Sequence, residues 1–279
     1  MAVNELDTIL NDFSQPKVER AIERNIIEQY PFIFSSLPDF EMIDTGRLVW
    51  FVTGLNSSYL NYVLLGQFKL EEIDTGIETT LQEFRTRRVP MTWSVGPSTE
   101  PINIGKHLVS HGLVHTRTET GMAVDLQEMK ENFPAPPGLS IEQIRDEDGL
   151  QKWFRVVAAS FAYQNTVVHI LSNLYSRLAC NRQRYWQLFT GFVDQKPVGA
   201  SRLFTGAGVA GIYHVATVPE MRGRGIGTAM TLAPLREARD LGYRIGVLRA
   251  AERALGVYKR IGFQEICSFH FYLYSGGRG

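Results

Sequence analysis

Cysteine is nearly missing from this sequence: Cys180 and Cys267 are the only two in 279 residues. Two thiols are too few for a disulfide framework and lack metal-site spacing, so their ordinary state is buried and reduced. A dominant charge is missing too. The 29 basic and 29 acidic side chains cancel, leaving no overall field to gather nucleic acid or an acidic membrane. No apolar run approaches the length of a bilayer span. Residues 1–10 carry acids and no apolar core, unlike a secretory signal. The expectation is a soluble cytoplasmic protein, with 44% hydrophobic residues to fill the cores of two ordinary domains.

The clearest internal break follows Phe133, where Pro134, Pro136, Pro137 and Gly138 resist regular structure and suit a short, stiff connector. It implies a first domain over 1–133, a linker over 134–138, a second domain over 139–275 and a flexible tail at 276–279. In the second half, periodicity predicts a strand at 139–144, a helix capped by Asp146 or Asp148 and running through 153–162, and a helix over 166–180. A hairpin of 188–194 and 197–204 turns at Gln195 and Lys196. There follow a strand over 209–218, a helix over 226–241, a strand over 243–248 and a helix over 252–261 stopped by Gly262. The class is mixed α/β with a partly antiparallel sheet. The first half predicts one or two helices over 6–29, interrupted near Pro16. Strands at 47–53 and 59–65, a helix at 73–87, a strand at 90–95, a helix at 102–111 and a strand at 122–126 complete it.

The stretch from Val218 to Gly227 carries the most chemistry. Pro219 cannot donate a ladder hydrogen bond and ends the strand; Gly223, Gly225 and Gly227 follow, and a helix begins. A strand, a glycine loop and a helix N-terminus make an anion site, because free N–H groups point outward and the helix dipole favours negative charge. A Walker loop would need a lysine after the last glycine, and none stands there. A dinucleotide fingerprint would need G-x-G-x-x-G and a later acid, where Val247 stands instead.

Arg222-x-x-Gly225-x-Gly227 resembles the acetyl-CoA signature of the GCN5-related N-acetyltransferase (GNAT) family. Downstream, Tyr258-x-x-x-Gly262-Phe263 resembles the same family's final signature, in the family's order and separation. The resemblance covers roughly residues 139–275 and implies the acetyl-CoA N-acyltransferase fold. The first half parallels part of the same element order, which implies either a degenerate copy or an unrelated α/β cap. A degenerate copy would be similar to the tandem acetyltransferases of the mycothiol synthase class, with one active half. Lacking any Arg-x-x-Gly-x-Gly, the first half is not expected to bind CoA in the usual way.

The resemblance implies an acetyl-CoA-dependent N-acetyltransferase acting on the primary amine of a small molecule or peptide, without a metal. Arg222, Gly223, Arg224, Gly225, Ile226, Gly227 and Thr228 would hold the pyrophosphate. The backbone of Val215, Ala216 and Thr217 would pair with the pantetheine like an added strand. Tyr258 would act as general acid on the departing thiolate. The strand over 211–217 carries no carboxylate, so His214 is the candidate base, directly or through water. Tyr213, on the opposite strand face, is the alternative. Trp153, Phe161, Tyr163 and Trp186 are candidates to line the acceptor pocket. The missing carboxylate also motivates a second reading, a non-catalytic acyl-CoA-binding or regulatory module. Pro234 is expected to kink the helix that follows the loop.

Two further patterns carry less. His107, His111 and His115 stand at helical spacing, but Gly112 is expected to end that helix, and no nearby carboxylate or cysteine in the sequence completes a metal set. Arg85, Arg87 and Arg88 read as a solvated face, not a nucleic-acid site. Nothing in the sequence selects the acceptor.

Overall fold

A computed structural model of the chain describes residues 8–161, 165–179 and 185–276. In order these contain α1 (Gln15–Phe34), β1 (Glu41–Asp44), β2 (Leu48–Val52), β3 (Tyr62–Gly66), α2 (Ile73–Thr86), β4 (Met91–Val95), α3 (Ile104–Ser110) and β5 (Val114–Asp125). There follow β6 (Leu139–Gln143), α4 (Glu147–Phe161), α5 (Asn165–Ala179), β7 (Trp186–Val193), β8 (Lys196–Gly206) and β9 (Val209–Thr217). The last elements are α6 (Ile226–Asp240), β10 (Ile245–Ala250), α7 (Leu255–Ile261) and β11 (Gln264–Tyr274). No helix among the described residues is long and apolar enough to cross a membrane.

The chain forms two compact units that are not its two consecutive halves. The larger joins the segment up to Gln29 to Gly121–Ile266; the smaller joins Tyr30–Thr120 to the segment from Cys267. The proline run at 134–138 therefore does not separate them. It lies inside the larger unit, where the Leu139 amide donates to Pro136 O at 3.1 Å. A stiff proline crossing suits a path within a unit as well as one between units.

In the larger unit the strand order is β5–β10–β9–β8–β7–β6. Strands β6 to β9 pair antiparallel, and β9 pairs parallel with β10. The turn between β7 and β8 is built on Asp194 and Gln195, at φ 49° and 62°, one residue before the expected position. Two left-handed residues match the twist of a tight hairpin. The Gly149 amide donates to Asp146 Oδ1 at 2.8 Å, which identifies the cap of α4. Helix α6 runs unbroken through the buried Pro234. A Cβ on Gly199 would meet Met230 and Ile226 of α6, whereas Arg202, of opposite parity on β8, meets Gln29 of α1 and Tyr175 of α5. Alternation along the strand thus puts α6 on one sheet face and α1 with α5 on the other.

Residues 15–29 of α1 belong to this unit. Asn25 Nδ2 donates to Gly206 O at 2.8 Å, Glu28 Oε2 accepts from the Ala207 amide at 2.7 Å, and the Leu10 amide donates to Gly208 O at 2.9 Å. These bonds clamp the turn between β8 and β9. Pro16 does not interrupt α1, as expected from sequence, but stands in its first turn, where a missing N–H costs nothing.

In the smaller unit the order is β1–β2–β3–β4–β11–β5. Strands β1, β2 and β3 are antiparallel, β3 and β4 parallel, and β4 and β11 antiparallel. Its core gathers Trp50, Val63, Ile77, Phe84 and Trp93. Strand β1 escaped the sequence reading because Glu41–Asp44 is short and largely exposed. Strand β5 begins at Val114, before the expected residue 122, a start the sequence reading missed because the first half is polar and gives no apolar alternation.

Candidate active site

Strand β9 runs between β8 and β10 and is released from one of them. It pairs with β10 at Ala210 and Gly211. Beyond Gly211 its pairing continues on the β8 side, as Ile212↔Leu203, Tyr213↔Arg202, Ala216↔Ala200 and Thr217↔Gly199. Between Tyr213 and Ala216 two residues, His214 and Val215, face the single Ser201, which is a β-bulge. His214 takes φ 51°, a left-handed conformation uncommon for a non-glycine residue. Bulge and parting together leave the backbone of residues 212–217 as a free strand edge on the β10 side.

At the end of β9 the chain enters the glycine loop. Gly223 and Gly225 stand at φ 77° and 81°, which favour glycine, and Gly225 is the N-cap of α6. A Cβ on Gly223 would meet nothing within 4 Å, and on Gly227 only Thr217 Oγ1 at 3.8 Å. The loop is thus open to solvent above its backbone. The first amide of α6 to find a backbone acceptor is Ala229, which donates to Gly225 O at 3.1 Å. The amides before it, from Gly223 to Thr228, have none among the described residues. This is a row of donors at the positive end of a 15-residue helix.

A cavity of about 450 Å³ joins the edge, the loop and α7. Its walls hold Val215, Ala216, Thr217, Arg222, Gly223, Gly225, Ile226, Gly227, Thr228 and Tyr258, all singled out from sequence. Arg224, in the same loop, is not among the lining residues. Arg222 Nε donates to Thr217 O at 3.2 Å, tying the loop to the strand end. Sequence reasoning missed Ser160, Arg253, Val257 and Arg260. The last three recur at helical spacing with Tyr258 between them, so the signal was present. None of Arg222, Arg253 and Arg260 forms an ion pair among the described residues, which leaves the rim cationic.

Tyr258 is 8% exposed, its ring edge-on to Phe263 at 5.8 Å. Burial pushes its phenol up to about 12, so the hydroxyl keeps its proton throughout the neutral range. His214 does not line the cavity. Its ring packs edge-on against Trp153 at 5.5 Å and Phe161 at 5.9 Å, and Phe161 does line the cavity. Burial, and then the Arg202 charge, hold His214 well below the ordinary imidazole range and therefore neutral. Trp153 and Trp186 are buried core residues at 0% and 2% exposure, not pocket walls. Tyr163 and Cys180 lie outside the described residues.

The smaller unit also has a parallel pair, Tyr62↔Thr92 and Val63↔Trp93, as the larger has Ala210↔Gly246 and Gly211↔Val247. A bulge again interrupts the antiparallel pairing of the first strand, here between β2 and β3. The chain itself covers the free edge. The Glu100 amide donates to Gly66 O at 3.1 Å, Glu100 O accepts from the Phe68 amide at 3.0 Å, and Gln67 Nε2 donates to Ser98 O at 2.8 Å. Where the larger unit has its glycine loop, Phe68 packs against Trp93 at 6.4 Å, and a Cβ on Gly76 would collide with its ring.

The histidines of this unit form a clasp. His107 Nδ1 and His111 Nε2 meet Asp74 Oδ1 at 3.0 and 3.1 Å. The carboxylate that sequence did not supply thus arrives from α2. His115 lies apart, bonded to Thr118 at 3.2 Å. No group of three or more metal-ligating side chains is arranged to hold an ion among the described residues.

Residues 152–263 match the Acetyltransferase (GNAT) family. A mycothiol acetyltransferase of Cellulomonas flavigena is 30% identical over 178 residues, 54% of this chain and 48% of that protein. The chain thus spans about half the length of the curated relative it matches. A GCN5-related N-acetyltransferase from Kribbella flavida has a TM-score of 0.70 at 15% identity, covering 96% of this chain and 98% of its own. A tandem GNAT protein from the clavulanic acid biosynthesis pathway has a TM-score of 0.58 at 15% identity, covering 99% and 98%. At these identities the two structures share a fold with this chain.

Proposed function

We propose that this chain, of which residues 152–263 are a GNAT acetyltransferase domain, transfers the acetyl group of acetyl-CoA to the primary amine of a small molecule or peptide. The observation that carries the proposal is one continuous cavity joining a free strand edge, an unpaired row of loop amides and a buried tyrosine. Each meets one part of the thioester cofactor. The amides from Gly223 to Thr228 suit the pyrophosphate, and Arg222 and Arg224 add charge beside it. The backbone of Val215, Ala216 and Thr217 suits the pantetheine amides, which would pair with it as an added strand.

In the reaction the amine nitrogen attacks the thioester carbonyl, its C–N bond forms and the C–S bond breaks. Tyr258 offers its proton to the departing sulfur. With the phenol near 12 and an ordinary thiol near about 8.5, the balance favours a hydrogen bond over complete transfer, so Tyr258 acts chiefly by stabilising the developing thiolate. The amine must shed a proton. No carboxylate lines the cavity among the described residues, and burial disfavours protonation of His214 behind Phe161, so the amine's proton passes to solvent, with His214 the remaining candidate base.

The smaller unit reads as a degenerate copy of the same fold, supported by a parallel strand pair whose first strand is bulged on its antiparallel side, as in the larger unit. Its covered edge leaves one cofactor site per chain. Steady-state acetylation of a panel of amines by the wild type and Tyr258→Phe tests the proposal. Product formation that falls in the variant, with acetyl-CoA binding retained, supports it. Binding without turnover of any amine favours the non-catalytic acyl-CoA-binding module instead.

A further inference from the structure

Arg202 is 2% exposed and lies opposite Tyr213, the residue that opens the β9 bulge. Its Nη1 donates to Tyr175 Oη at 2.7 Å and its Nη2 to Gln29 Oε1. The guanidinium is stacked over Trp186 at 4.1 Å and Tyr213 at 4.8 Å. Its Nε has no partner, and no carboxylate pairs with it among the described residues. A buried cation held only by neutral groups and aromatic faces is a poor stabilising device, since apolar residues of similar volume often do as well or better. The local geometry gives it another use. Tyr213 is gripped between the guanidinium and Asn25, whose Oδ1 accepts from its hydroxyl at 2.6 Å. The next residues are His214, at φ 51°, and the edge Val215–Ala216–Thr217. Across the bulge, Trp153 Nε1 donates to Ser201 O at 3.0 Å, fixing the residue that faces it.

We propose that Arg202 is a positioning residue: by locking Tyr213 it sets the bulge at His214 and holds the backbone of Val215–Thr217 in register for the cofactor. The part concerning the cofactor rests on the acetyl-CoA reading above; the part concerning the bulge does not. The same charge also helps to keep His214 neutral.

The test uses the full chain with Arg202→Met, which keeps volume without charge, and Arg202→Lys, which keeps charge without the planar fork. Amide hydrogen exchange, thermal unfolding and acetyl-CoA calorimetry are read on each. In Arg202→Met we expect faster exchange confined to residues 213–217, an unfolding temperature at or above that of the wild type, and acetyl-CoA affinity reduced about tenfold. Arg202→Lys should not restore affinity, because an ammonium cannot stack and fork at once. Unchanged exchange at 213–217 would overturn the proposal. So would faster exchange spread through β7, β8 and β9 with a fall in unfolding temperature, which would make Arg202 merely structural. If the wild type binds no acetyl-CoA while exchange at 213–217 still rises in Arg202→Met, the cofactor reading fails and the role at the bulge stands.

Discussion

Beside the parallel pair of β9 and β10, the larger unit keeps a strand edge and a glycine loop open to a cavity of about 450 Å³. Beside the matching pair of β3 and β4, the smaller unit closes the edge with Glu100 and fills the turn with Phe68. Both units have a parallel strand pair whose first strand also carries a bulge on its antiparallel side. A few residues at one strand-to-helix turn make the difference. Three glycines in one unit leave backbone amides bare. In the other, Phe68 packs against Gly76 of α2, and Glu71, Glu72 and Asp74 bring negative charge to the start of that helix, where a phosphate would need to sit. In the smaller unit the chain itself occupies the edge; on the proposed reading, the open turn of the larger unit leaves its edge to the cofactor.

The comparison can be broken most forcefully at Gly225. A glutamate there meets its own cofactor's charge and takes up a φ of 81°, so acetyl-CoA affinity should fall by at least about a hundredfold, measured by calorimetry with circular dichroism as the control for folding. Next is Tyr258→Phe, which should lower kcat by about a hundredfold while acetyl-CoA binding stays within about twofold of wild type. Phe68→Ala, in the covered turn, should cost about 2–3 kcal/mol in chemical denaturation, since the side chain is only partly buried. It should not create a second acetyl-CoA site, because Glu100 still holds the edge.

The smallest effect is on pH dependence. Tyr258 has a folded pKa raised to about 12 against an ordinary value near 10, so its contribution to stability is complete below about pH 10 and is lost as pH rises towards about 12. Tyr258→Phe should flatten that alkaline loss. At the acid end His214 is held well below its ordinary range, so a limb of kcat/KM set by this group belongs below about pH 6.5.

How far the sequence revealed this depended on whether the signal was local. The glycine loop, the helix behind it, the Tyr258 helix and its stop at Gly262, at φ 114°, are short-range patterns, and the structure has them in the expected places. Division into units was not legible, because pairing of β11 with β4, and of β5 with β10, joins segments far apart in sequence. Nor could spacing show that Asn25 and Glu28 would clamp the turn at Ala207. His214 lies on the expected strand but is not itself in the cavity wall: its ring packs against Trp153 and against Phe161, which does line the cavity. Arg202 gave no sequence signal, being one arginine within a strand.

The most direct test is the stoichiometry of acetyl-CoA binding to the full chain by calorimetry, alongside Gly225→Glu. The account predicts one site per chain in the wild type and none in the variant. Two sites per chain, or one site that survives Gly225→Glu, would contradict it.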